Sequence, residues 1–428
     1  MNGRKGLFYM FRLINNEFNN VNNKLTNVNN EIVGINNEIV GINNKIGSLD
    51  DRFNLKFTTT YKFLPGIIKN GDTCTINYIE NTKYIINQIV YVEDGGKLII
   101  NKGVTIYVDT LIDSPLYIAV KIGGIINILG SKKSPVILTS QSNIPGGWGG
   151  LIICGSGLVY RNQDGLRITN NLTGHDSVLT YGGTYDFSLS CNISYLIIEN
   201  AGLEFNNKKF AALSLYSLGY DSMISDVVIV NSGWKGIEIR GGLFNLRRIY
   251  IKDCVINAID ISEGFCGKIL QTVIYNNFSG FESAIKINTN NISDRHIIIP
   301  NQNNDIEFYN LTCISNVGQN AILTEINTKV YFSGITLLGY TYSFYYLVKE
   351  NNINNLYKII NFLTHSPEEN FEGIQIPPDI IIAVNPNQIT QFPNLPDPTL
   401  INDFASHQFI NVIPSDSQVG IWARNHFS

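Results

Sequence analysis

Gly236-Ile237-Glu238-Ile239 returns as Ala258-Ile259-Asp260-Ile261 and again as Ala284-Ile285-Lys286-Ile287. Each copy alternates apolar and polar residues with period two, as a short strand with one buried face does. The copies are 22 and 26 residues apart. The same pattern stands 24 residues earlier as Ala212-Leu213-Ser214-Leu215, and 37 residues later, past an insertion, as Ala321-Ile322-Leu323. A second apolar strand runs between the copies and usually closes on Asn or Gly: Tyr195 to Gly202, Val227 to Gly233, Leu246 to Asp253, Val273 to Asn277, Phe308 to Gly318 and Val330 to Gly339. A period in the low twenties with two or three short strands predicts a parallel β-helix, in which each coil packs on the one before. A propeller blade needs roughly 40 residues or more and does not fit these steps. Asn suits the corners, because it tolerates the left-handed conformation.

Towards the N-terminus the grammar continues through Val90 to Ile100, Gly103 to Tyr107 and Gly124 to Gly130, and before residue 54 it changes completely. From Ile14 to Phe53 apolar residues step by four and three. Phe18, Leu25, Ile32, Ile39, Ile46 and Phe53 occupy one heptad position, and Val21, Val28, Ile35, Ile42 and Leu49 the other. A two-in-seven stripe over five heptads predicts a parallel coiled coil, and Ile at both positions disfavours the dimer. Gly34, Gly41 and Gly47 fall on outer positions, each costing about 1 kcal/mol of helix propensity. The helix therefore needs partners, and with mostly Asn at the flanking e positions the expected partner is the chain itself, as a homotrimer through residues 14–53.

Composition narrows the function. Of 428 residues 44% are hydrophobic and only 15% charged, with a net charge of −4 and no Lys/Arg stripe, so no nucleic-acid partner is expected. The six cysteines are scattered without a CxxC pair, and the five histidines are isolated. No metal site, disulfide framework or cofactor is expected. The apolar run from Gly6 to Ile14 is short and broken by Arg12, which argues against a signal peptide and a membrane span. The Asn/Ile/Tyr-rich, Ala-poor usage hints at an AT-rich genome.

Three segments carry a resemblance: Tyr91-Val92-Glu93-Asp94-Gly95-Gly96-Lys97-Leu98, Ser134-Pro135-Val136-Ile137-Leu138-Thr139-Ser140, and Gly147-Trp148-Gly149-Gly150-Leu151 through Gly155. Together with Gly236-Ile237-Glu238, Asp260 and Glu263-Gly264, they resemble the right-handed β-helix surface proteins of Bacteroidetes over residues 85 to 340. The resemblance implies that fold and an extracellular surface, and brings no defined activity. The chain departs from the group where Trp234-Lys235 replaces an acidic pair and Ser262 replaces an Asp, which puts any calcium site there in doubt. A stalk joined to a β-helix is instead similar to viral fibres and tailspikes, with a composition like that of large DNA viruses of protists.

In-register stacking predicts that Ser214, Glu238, Asp260, Lys286 and Leu323 form one outward column, with coils roughly 4.8 Å apart. Glu238 and Asp260 then become neighbouring carboxylates near the roughly 5 Å spacing of a retaining glycosidase, with Arg240 and Lys286 beside them. The plainer reading is a solvated charge ladder balanced by Lys286. Trp148, Trp234, Arg240 and Glu263 are candidates for glycan binding, although Trp148 reads more simply as a residue closing a coil.

The expected chain is thus all-β, a right-handed parallel β-helix preceded by an N-terminal coiled coil. Its parts are an anchor segment (1–13), the stalk (14–53), a linker and N-terminal cap (54–84), the β-helix (85–365) and a Pro-rich C-terminal cap (366–428). The expected function is a trimeric fibre on a virion surface, or in the alternative an extracellular or cell surface, that attaches to a surface glycan or a capsid protein. The alternative is a tailspike-like glycoside hydrolase or lyase using Glu238 and Asp260.

Overall fold

The computed structural model describes residues 3–57, 59–110, 115–161, 165–167, 170–171, 179–185, 187–288, 306–315, 317–324, 330–346, 357–365 and 369–372. It divides into two units, Met1–Thr60 and Tyr61–Ser428.

The first unit is a single α-helix, Gly3–Phe57, of 55 residues. At 1.5 Å per residue it is about 80 Å long. Along the part whose side chains are described, the heptad residues Phe18, Val21, Leu25, Val28, Ile32, Ile35, Ile39 and Ile42 are all between 48% and 64% exposed. The expected helix is present, and within one chain its apolar stripe faces water. Among the described residues no helix is long and apolar enough to cross a membrane. The side chains of the first nine residues lie outside the description, and so does the anchor role expected of residues 1–13.

The second unit is a parallel β-helix. A narrow sheet of 11 strands runs in chain order from Ile67–Ile68 to Glu369–Glu372, taking in Leu213–Tyr216, Ile237–Arg240, Asn257–Ser262, Ser283–Asn288 and Asn320–Thr324. A wide sheet of 14 strands covers the rest of each coil. In the early coils the wide sheet receives two separate strands per turn, such as Ile125–Leu129 and Val136–Ser140. Both then pair with the single strand Cys191–Glu199, the first through Cys191 to Ser194 and the second through Leu196 to Ile198. From there onward each coil carries one long strand folded at one residue.

That residue has positive φ in six successive coils: Tyr195 (51°), Asp226 (56°), Arg248 (55°), Gln271 (56°), Asn310 (56°) and Gly334 (68°). It is also the residue the parallel register skips. Each coil thus has three parallel runs, and the left-handed residue makes the corner between the second and third. Non-glycine residues tolerate this conformation at a cost, offset where neighbouring coils bond their corners together. Arg248 donates to Asp226 twice, through Nε at 2.6 Å and Nη2 at 2.5 Å. Asn200, Asn231 and Asp253 turn the chain in the same way after the third run. Asn231 Nδ2 there reaches Asn200 Oδ1 at 3.5 Å, as the corner role of Asn predicts.

The core is the interior of the coils. Ile237, Ile239, Ile259, Ile261, Ile285 and Ile287 come from the narrow sheet, and Leu246, Ile249, Ile251, Ile269 and Ile274 from the wide one; all are fully buried. All six cysteines are free thiols, five of them buried. The 37-residue step between Ala284 and Ala321 includes 289–305, outside the described residues, as is the Pro-rich segment beyond Glu372.

Ile259→Ala empties space in a middle coil with neighbours stacked on both sides. It is expected to lower stability by about 2–5 kcal/mol, measured by chemical denaturation. Substituting the exposed Lys102→Ala should change it by less than about 0.5 kcal/mol.

Candidate functional site

Parallel stacking puts side chains about one period apart into register. The narrow sheet pairs Ile152 with Ser214, Ser214 with Glu238, Glu238 with Asp260, Asp260 with Lys286, and Lys286 with Leu323. The column expected from the repeats is therefore present. A second outward column runs beside it through Cys154, Tyr216, Arg240 and Ser262.

The surroundings of these columns differ from the expectation. In place of a solvated ladder, Glu238 is only 6% and Asp260 8% exposed. Two features exclude water. Chain segments on either side of the narrow-sheet strands cover its outer face, so Val159, Leu179, Tyr181 and Phe210 pack with Ile152, Cys154 and Tyr216. The carboxylates are also wrapped by polar side chains. Tyr216 donates its hydroxyl to Glu238 Oε2 at 2.5 Å, and Arg240 Nη2 donates to Glu238 Oε1 at 3.1 Å. Lys235 Nζ bridges the two coils, 2.8 Å from Glu238 Oε1 and 2.6 Å from Asp260 Oδ2. The Arg240 guanidinium lies over the Tyr216 ring at 4.9 Å.

Lys286, the register neighbour of Asp260, lends it positive charge as the ladder expects. Its ammonium lies 3.4 Å from Glu282, four residues earlier on its own coil. Lys235 takes the bridging place.

Tyr181 and Tyr216 have ring centroids 5.1 Å apart, and Tyr181 donates to Glu263 Oε2 at 2.8 Å. Arg240 also bonds Tyr181. The cluster therefore joins Lys235, Glu238, Arg240, Asp260, Tyr216, Tyr181 and Glu263, bringing together four of the six residues singled out from sequence. The two tryptophans stand apart from it. Trp148 is 1% exposed, within the core, and donates its indole N–H to the Glu199 carbonyl at 2.9 Å. Half-buried Trp234 has the Lys209 ammonium 4.2 Å from its ring centroid.

Burial alone raises a carboxyl pKa. At Glu238 burial acts in that direction but is outweighed by Arg240, Lys235 and the Tyr216 hydrogen bond, so the net shift is well below the usual range. At Asp260 burial dominates and Glu238 adds to it, so the pKa is raised in spite of Lys235. One member of the pair is held ionised and its neighbour is pushed towards the neutral acid. Burial pushes Tyr216 upward, and Glu238 reinforces the shift.

Sequence reasoning misses three members. Lys235 reads there only as the loss of an acidic residue, though a lysine three residues before a column glutamate is the charge that two stacked carboxylates require. Tyr216 shares a register position with Arg240, so the column argument reaches it. Tyr181 lies outside the repeat, and no periodic signal marks it. No group of His, Cys, Asp and Glu among the described residues is arranged to hold a metal ion.

A family model described as a pectate-lyase-like β-helix domain matches residues 68–374. No curated protein and no solved structure matches the chain.

Because Glu238 keeps its charge in the folded protein below the pH at which an unfolded Glu takes up a proton, it adds stability above the ordinary carboxylate range. That stability is lost as pH falls through and below about 4. Glu238→Gln should flatten the acid limb of a stability–pH curve measured by urea midpoints. Arg240→Met, which removes the leading counter-charge from a buried carboxylate, should cost about 3–5 kcal/mol at neutral pH.

Proposed function

Because the chain belongs to the pectate-lyase-like β-helix family, a fold shared by polysaccharide lyases and structural fibres, we propose that it is the fibre kind. In this reading it is a homotrimeric attachment fibre, with the helix Gly3–Phe57 as its trimerising stalk and the β-helix as the surface it displays. The observation that carries this reading is the apolar stripe from Phe18 to Ile42, half-exposed on an isolated helix. Burying each of these side chains contributes on the order of 1 kcal/mol, and Ile at both heptad positions favours three strands or four over two. A stalk joined to a β-helix is similar to viral fibres, which makes a virion surface the proposed setting and a surface glycan or a capsid protein the proposed partner.

The polar cluster supports the same reading. A carboxylate that works as a nucleophile or base must reach substrate. Glu238 instead commits both oxygens to Tyr216, Arg240 and Lys235 and is almost completely covered. The enzymatic alternative keeps one observation in its favour, since Glu238 and Asp260 are register neighbours with pKa values pushed apart, a pattern that divides acid from base.

Sedimentation equilibrium of the full chain is expected to give three times the 47.8 kDa chain mass. Ile32→Asn with Ile39→Asn should give a monomer that keeps its β-sheet circular dichroism. On an array of surface glycans the trimer should bind at least about 10²-fold more tightly than this monomer, through avidity. A monomeric wild-type chain would end the fibre reading. Sugar release that Glu238→Gln abolishes would establish the enzymatic one.

A further inference from the structure

We propose that Lys235 and Asp260 become joined by a side-chain amide, an intramolecular isopeptide bond that staples two successive coils of the β-helix. The inference rests on the second unit alone and is independent of how many copies assemble.

Three conditions favour such a bond, and this site meets them all. The first is proximity: Lys235 Nζ lies 2.6 Å from Asp260 Oδ2, held there because the two residues belong to neighbouring coils fixed in register by Ile237–Ile259 and Glu238–Asp260 pairing. Fixing reacting groups in this way replaces an improbable encounter with an effective molarity of roughly 10⁵ M or more in favourable cases. The second is exclusion of water, which favours the neutral acid at Asp260 and protects the product. Asp260 is 8% exposed, and the Lys235 side chain 18%. The third is a further group able to move protons. Glu238 Oε1 lies 2.8 Å from Lys235 Nζ and is held in place by Arg240 and Tyr216.

Among the described residues, Lys235 also lies 2.8 Å from Glu238, a carboxylate that Arg240 and Tyr216 hold ionised, and the remaining lysine–carboxylate pairs are longer or more exposed, Lys268–Glu307 at 3.7 Å among them. Lys121–Glu93 and Lys286–Glu282 are longer, at 3.0 and 3.4 Å, with the carboxylate a third or more exposed. Lys209–Glu204, at 3.5 Å, is close to half exposed on both sides.

The step balances without any co-reactant. A proton passes within the ion pair from Lys235 to Asp260, giving an amine and a carboxylic acid. The environment prepares the acid form, because burial and the Glu238 charge weaken Asp260's acidity. Lys235 holds its own proton more firmly than usual, because Glu238 and Asp260 outweigh its burial. The neutral pair is therefore scarce, and its formation depends on the two residues exchanging the proton together. Nζ then attacks Cγ of Asp260 and a C–N bond forms. Glu238 accepts the remaining excess proton from nitrogen and returns it to the departing hydroxyl. The C–O bond breaks and one water leaves. Glu238 ends as it began, and the opposite charges of Lys235 and Asp260 are consumed together.

Intact-mass measurement of the purified, fully denatured full-length chain tests this. The expected mass is lower than the sequence mass by one water, about 18 Da. In a tryptic digest the chain should resist cutting after Lys235, and residues 210–240 and 253–268 should travel as one linked species. Fragmentation should place the link between Lys235 and Asp260. That localisation separates the amide from a cyclised aspartate, which shows the same mass loss with no linked peptide. Glu238→Ala, which keeps both partners, should restore the sequence mass. A wild-type chain at full sequence mass, or a digest with free 236–240 and unlinked 253–268, overturns the proposal. Both of these outcomes are read on the wild-type protein and do not depend on any variant folding.

Discussion

Every coil of this β-helix leaves a row of backbone N–H and C=O groups pointing along the stack, and only the next coil can satisfy them. An unpaired buried amide costs roughly 1–3 kcal/mol, so the register between coils is the constraint to which all else is subordinate. It is kept without a slip from Leu213 pairing with Ile237 to Leu323 pairing with Tyr345. To maintain it the chain bends into the left-handed region between the second and third runs, at Tyr195, Asp226, Arg248, Gln271, Asn310 and Gly334, and again after the third run at Asn200, Asn231 and Asp253. A strained non-glycine corner in five of these coils is tolerable because a misaligned strand would expose a whole row of isoleucines and orphan a whole row of amides.

A strict register has an electrostatic consequence. Side chains 22 to 26 residues apart in sequence become nearest neighbours whatever their charge. Glu238 above Asp260 is a like-charge contact that the fold imposes, and Lys235, Arg240 and Tyr216 answer it by placing positive charge and a donor around the pair. Covering the cluster with the aromatic segment that carries Tyr181 deepens the burial and strengthens each of these interactions, since fields are less screened away from water. The same wrapping that neutralises the pair leaves both carboxylates less than a tenth exposed.

The repeat is legible in the sequence wherever its physics is periodic. Gly/Ala-Ile-x-Ile at intervals near 24 marks the narrow sheet, and the column of Ser214, Glu238, Asp260 and Lys286 follows from that spacing by counting. The corner column is not legible, because backbone geometry selects it while its side chains range from Tyr to Gly. Nor is the cover over Cys154 and Tyr216, beside the carboxylates, which comes from Tyr181, Leu179 and Phe210, residues outside the repeat. Trp148 in its glycine-rich setting invites a binding role, but its indole N–H satisfies the Glu199 carbonyl inside the stack.

The two units solve the problem of stability in opposite ways. In the β-helix each coil is stabilised by its immediate neighbours, so insertions such as the one before Ala321 are accommodated locally, between strands, without disturbing the register on either side. Along the helix Gly3–Phe57 the described heptad residues from Phe18 to Ile42 are 48% to 64% exposed. Its outer face is rich in Asn and carries Gly34 and Gly41, poor helix formers, so the free energy that holds it helical must come from its stripe. A sequence weak in intrinsic propensity yet unbroken in its heptads is the pattern in which folding couples to assembly, as the proposed trimer requires. The determinants of the two units, a heptad stripe in one and register columns in the other, are separate in sequence.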